Sequence, residues 1–206
     1  KKIGVKYILS GSNQATEGIR TPNGWNWFKN DKMNIYDIAK KNGNVNIQSF
    51  PSIGTIGYIY NTFVKGIKWV PFLDYLNFNK NQALKVLIDN YEYKPYPYKH
   101  YESVFTRFYQ GYILPNKFGV DKRKLHLSVL IASEQMTKVE ALDIMKESAY
   151  PSTSELSEDI DYFLKKMDWT SEQLNSYMKE KNNCHSDYKS EKILWDKLKR
   201  IYLKFK

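Results

Sequence analysis

Apolar and polar positions along the 206-residue chain fall into blocks whose period changes repeatedly. Residues 3–9 form a short, β-prone apolar run that reads as a buried strand, emptying into a small polar loop from Ser10 to Gly18. A Trp-rich irregular stretch follows (20–30), then a helix over 31–41 and a short strand over 45–50 that ends at Pro51. Residues 53–64 read as an apolar helix, and residues 68–73 as extended chain around Pro71. Asn79, with Gln82 three residues on, predicts a capped helix through Asp89. Pro95 and Pro97 then forbid regular structure over 91–100.

Helical spacing returns at 102–114, where Val104, Phe108 and Tyr112 share a stripe and Pro115 is expected to stop the element. A helix over 123–133 carries Leu125, Val129 and Leu130. Thr137 with Glu140, and Thr170 with Gln173, carry the capping-box signature of two more. Between these lies PSTSELSED, from Pro151, which reads as an acidic, Ser-rich linker. It precedes an amphipathic helix marked by Ile160, Phe163, Leu164 and Met167. Residues 179–189 read as polar turns. The last helix, 190–205, sets Leu194, Leu198, Ile201 and Phe205 opposite its lysines. Packing against the core is the favoured reading of that stripe, and a membrane-surface or partner-binding helix the other.

Composition sharpens one region. The net charge is +10, 42% of residues are hydrophobic and 16% aromatic. Residues 94–126 hold seven Lys or Arg against two acids, so half of the net charge sits in one segment. Within it Lys99, His100, Arg107, Lys117, Lys122, Arg123 and His126 alternate with Tyr101, Phe105, Phe108, Tyr109 and Phe118. Cations between rings suit an anionic ligand, since each Arg can grip a phosphate through two hydrogen bonds. The plainer reading is a basic helix with core rings and solvated charges. Cys184 is the single cysteine, which excludes an intrachain disulfide and a thiolate cluster and fits a reducing, cytoplasmic setting. No apolar run is long enough to span a membrane.

The loop SGSNQATEGI (10–19), the segment VKGIKWVPFLDYLNFNKNQAL (64–84) and the block KHYESVFTRFYQGYILPNKFGVDKRKLHLS (99–128) resemble the N-acetyl sugar amidotransferases. These are PP-loop ATP pyrophosphatases of bacterial surface-polysaccharide biosynthesis. The resemblance runs over about residues 3–175. It implies an ATP- and Mg²⁺-dependent enzyme of LPS or O-antigen biosynthesis acting on a nucleotide- or lipid-linked N-acetyl sugar. The acetamido oxygen would be activated as an adenylate, and ammonia from a glutaminase partner would leave an acetamidino group. It also implies an α/β parent fold with a parallel sheet, this chain supplying a mostly helical carboxyl-terminal half with a few strands. Residues 1–75 would belong to the PP-loop domain, 76–150 to a helical substrate- and phosphate-binding region, and 151–206 to a helical extension. The Ser-Gly-Gly-x-Asp-Ser phosphate loop of the family is not in this sequence, so the fragment alone is expected to be inactive.

The roles that follow are Gly11, Ser12 and Asn13 at the nucleotide, and Glu17 on Mg²⁺ or orienting ammonia. Arg107, Lys117, Lys122 and Arg123 would bind phosphate, with Arg107 also easing the charge that builds in the transition state. His100 and His126 would serve as acid–base groups, and Tyr109 and Gln110 would hold the sugar. Two rival readings are a tRNA-modifying PP-loop enzyme and a non-catalytic basic module for nucleic acid or acidic partners. The absence of further cysteines counts against the first, so nucleic acid is the less favoured ligand.

Overall fold

The computed structural model describes residues 4–18, 20–43, 46–96 and 103–205. The chain forms two compact units. The first takes in the described parts of Lys1–Ser10, Pro22–Val70 and Asn183–Lys206, the second Gly11–Thr21 and Pro71–Asn182. The described residues are mostly helical, with two parallel strands.

In the first unit, β1 (Tyr7–Ser10) pairs with β2 (Lys68–Pro71) in a two-stranded sheet. Helix α2 (Lys32–Asn42) starts at Asp31, whose side chain accepts from the Asn34 amide. Helix α3 (Thr55–Ile59) continues into a π-helical turn, Tyr60–Val64. The terminal helix α11 (Lys192–Lys204) follows a short 3₁₀ turn, His185–Asp187.

A buried polar network ties the 185–191 segment to α2. Asp31, 1% exposed, accepts from the Trp27 indole, the Ser190 hydroxyl and the Glu191 amide. The Asn34 amide group donates to the carbonyls of His185 and Lys189, so its oxygen is left to accept from His185 Nδ1 at 2.7 Å. His185 stacks on Trp27 with ring centroids 4.6 Å apart. Burial lowers its pKa against the pull of Asp31.

In the second unit, α1 (Gln14–Glu17) is a single turn, and Phe72–Tyr75 forms a 3₁₀ turn before α4 (Lys80–Tyr91). Then come α5 (Val104–Phe108), a π-helical turn (Tyr109–Ile113), α6 (Leu114–Phe118), α7 (Lys122–Ala132), α8 (Lys138–Lys146), α9 (Thr153–Met167) and α10 (Ser171–Lys179). The core is an aromatic cluster in which Phe108, fully buried, meets Phe163 at 4.9 Å between centroids, and Phe163 meets Trp169 edge-on. Trp169 and Leu174 join the same cluster, as the capped α10 predicts. The capping boxes at Thr137–Glu140 and Thr170–Gln173 are both formed.

Three expectations are corrected. Pro115 does not stop the 102–114 helix. The π-turn at Tyr109–Ile113 resets the hydrogen-bond register, so Pro115 falls in the first turn of α6, where a missing N–H costs little. The helix ends instead at Gly119, whose φ of 66° is the left-handed conformation that glycine adopts freely. Residues 151–159 are not a linker. Ser152 caps Glu155, and the acidic run forms the first turns of α9, where carboxylates meet the positive end of the helix dipole. Residues 46–50 form a turn rather than a strand. There the Asn46 side chain accepts from the Gln48 amide and so competes with extended pairing.

Candidate functional site

The second unit gathers the two segments that carried the chemical reading. The turn α1 packs against α7. The Ser133 hydroxyl, at the end of α7, donates to the Ala15 carbonyl at 2.8 Å. Lys122, His126, Val129 and Ser133 follow one another at i, i+4, i+7 and i+11, so they share one face of α7, which bonds the loop at its Ser133 end. The structure thus packs α1, which holds Glu17, on α7, the helix that begins at Lys122 and carries His126. Lys122 and His126 are both half-buried, and Glu17 is exposed.

The other cations of the basic segment turn elsewhere. Arg107 makes a bidentate pair with Asp159 of α9, Nε to Oδ2 at 2.6 Å and Nη2 to Oδ1 at 2.5 Å, and Tyr150 donates its hydroxyl to the same carboxylate. Burial pushes the Asp159 carboxyl up, but the Arg107 and Tyr150 hydrogen bonds outweigh it and leave the group below its ordinary value. The Tyr150 hydroxyl is pushed well above its ordinary value, first by burial and then by Asp159. Arg123 folds back on Asp121, with Nη2 to Oδ2 at 2.8 Å, and its Nη1 donates to the Glu147 carbonyl at 2.9 Å. Lys117 reaches the carboxyl end of α10, donating to the carbonyls of Tyr177 and Glu180, where helix carbonyls lack partners. Each of the three therefore holds two elements together.

Tyr109 packs on the aromatic core, stacked on Phe105, and burial raises its hydroxyl pKa. Gln110 is half-buried within the π-turn. His100 lies outside the described residues.

Sequence reasoning missed Asp159, Tyr150 and Asp74. Asp159 had a visible signal. It lies three residues after Leu156 and four before Phe163, so it is a carboxylate on the apolar face of an amphipathic helix. Such a group is retained when a cation meets it.

The fit of the loop to a nucleotide follows from its hydrogen bonds. The Gln14 amide donates to Asp74 Oδ1 at 2.6 Å, and the Thr16 amide and hydroxyl both donate to Asn13 Oδ1. The N–H groups of Gln14 and Thr16, just after the Gly11–Asn13 segment, are thus already bonded, the first to a carboxylate that would repel an anion. Among the described residues no group of three or more His, Cys, Asp or Glu gathers to hold a metal ion. The residues present do not by themselves form a triphosphate and Mg²⁺ site, and no ATP step is derived through them.

Against this geometry stands one comparison. Residues 102–202 match the family model described as LPS biosynthesis protein WbpG-like, C-terminal domain. The match places this stretch with an LPS biosynthesis family. It takes in α5 to α10 and most of α11, with Arg107, Lys117, Lys122, Arg123 and His126. No curated protein and no solved structure matches the chain. Among the described residues no helix is long and apolar enough to cross a membrane.

Proposed function

We propose that the chain is the carboxyl-terminal, substrate-holding part of an ATP-dependent N-acetyl sugar amidotransferase in LPS biosynthesis. The enzyme would convert the acetamido group of a nucleotide- or lipid-linked sugar to an acetamidino group with ammonia from a glutaminase. The observation that carries the reading is the WbpG-like match over the basic block; the packing of α1 on α7, which joins that block to the loop 10–19, adds to it. On this reading Lys122 and His126 meet the phosphates of the sugar donor, and Glu17 and the 11–13 loop line the facing side. Arg107, Arg123 and Lys117 hold the frame that presents them. Hydrolysis of ATP to AMP and pyrophosphate is not expected of this chain alone.

Calorimetry tests the reading by titrating a nucleotide-linked N-acetyl sugar into the chain. A charge-assisted hydrogen bond contributes about 1.5–3 kcal/mol, so Lys122→Ala should weaken binding roughly 10- to 150-fold. Binding that Lys122→Ala leaves unchanged, or tRNA bound more tightly than the sugar nucleotide, would refute it.

A further inference from the structure

The terminal helix was expected to pack its apolar stripe into a core, yet no residue of α11 is buried. One edge is packed. Trp195 meets Phe28 and Tyr58 with centroids 5.8 and 5.6 Å away. The other edge is open: Leu194, Ile201 and the capping Phe205 share the stripe and are exposed, Ile201 by 52% and Phe205 by 87%. Tyr202 extends the open surface to Phe63, 5.7 Å between centroids, on the π-turn Tyr60–Val64. Phe63 and Val64 are themselves 60% and 70% exposed. The apolar surface is therefore continuous over two elements of one compact unit.

The charge around that surface has one sign. Helix α11 carries Lys192, Lys197, Lys199, Arg200 and Lys204 against a single acid, Asp196, which Lys192 holds at 2.6 Å. Lys197 and Lys204 stand three residues after Leu194 and Ile201, so they line the open edge of the stripe. Lys65, next to Val64, lies over the Tyr60 ring. Exposed apolar and aromatic side chains rimmed by lysines form the pattern that seats a helix in the headgroup layer of a bilayer. There the apolar edge enters the acyl boundary and the cations meet anionic lipids. A protein partner of ordinary composition would leave this single-sign rim without complementary charge.

We propose that α11 and the Tyr60–Val64 turn form a docking surface for an anionic membrane. The inference does not rest on the amidotransferase reading. It is tested by floating the chain with vesicles of phosphatidylcholine, alone or with about a quarter phosphatidylglycerol. The chain should rise with the anionic vesicles and not with the neutral ones, and about 0.5 M salt should release it. Each lysine near such a surface is worth about fivefold in partition, so the K197Q/K204Q pair should lose roughly 30-fold. Phe205→Ser should lose about 10-fold or more. All three residues are exposed, so neither variant disturbs a packed core. No flotation, equal flotation with both vesicles, or a K197Q/K204Q partition within about twofold of the parent overturns the proposal. So does tRNA binding lost in that variant when vesicles fail to bind.

Discussion

Asp159→Ala is the sharpest perturbation of the frame around the candidate site. The side chain of Asp159 is 4% exposed and that of Arg107 19%. Removing the carboxylate takes the bidentate partner from the guanidinium and the acceptor from the Tyr150 hydroxyl in a site walled by α5 and α9. Removing one member of a buried pair costs about 3–5 kcal/mol, and the partial exposure of Arg107 points to the lower end. About 3 kcal/mol corresponds to a fall in Tm of roughly 6–12 °C for a chain of this size. Urea unfolding followed by far-UV circular dichroism, with Tm measured in parallel, gives both quantities. The double variant R107M/D159L, with apolar groups on both sides, should recover most of the loss. The pH dependence has a definite sign. The folded carboxyl lies below its ordinary 3.8, so its contribution is complete above the unfolded value and disappears as pH falls through the folded one. The gap between parent and Asp159→Ala should therefore hold at neutral pH and close below about pH 4. A loss under about 1 kcal/mol at pH 7, or a gap that does not narrow in acid, would refute the claim that this pair holds α5 to α9.

Two further substitutions probe other joints. At Gly111 a Cβ would lie 3.0 Å from Cδ2 of the Tyr150 ring and 3.4 Å from the Ala149 carbonyl. Tyr150 is buried and bonded to Asp159, so it cannot swing away, and Gly111→Ala should destabilise by about 1–3 kcal/mol despite its better helix propensity. A rise in Tm would contradict this. Asp31→Ala removes the acceptor shared by the Trp27 indole, the Ser190 hydroxyl and the Glu191 amide. It should cost about 3 kcal/mol and speed amide exchange across 185–191, whereas an unchanged exchange pattern there would show that the network is not what holds the segment.

The local signals were legible because they act over a few residues. Asn79, Thr137 and Thr170 all cap the helices their spacing announced. The errors came where a second local rule was also in force. Pro115 is a breaker in an α-register, but the π-turn before it supplies a new helix start. The polar run after Pro151 looks like a linker by composition, yet Ser152 and Glu155 stand at cap and N3 spacing, so the helix start was readable there.

The site was legible only in part, for a different reason. A cation's partner is set by tertiary structure. Asp159 is 52 positions from Arg107, and the carbonyls that take up Lys117 are 60 and 63 positions away. Clustered charge along the chain therefore overstates the charge presented at one place. Of the cations singled out by sequence, Arg107, Arg123 and Lys117 close internal contacts, while Lys122 and His126 share one face of α7. The surplus of the +10 charge lies partly at the other end of the chain, on α11, where amphipathic spacing was visible but its exposure was not. An internal pair is nearly neutral to a distant anion, whereas a lysine with no nearby acid is not. Two surfaces are proposed for anions, the Lys122–His126 face of α7 and the rim of α11. They make separable demands: single-site substitutions should decide the first, and ionic strength together with the apolar edge the second.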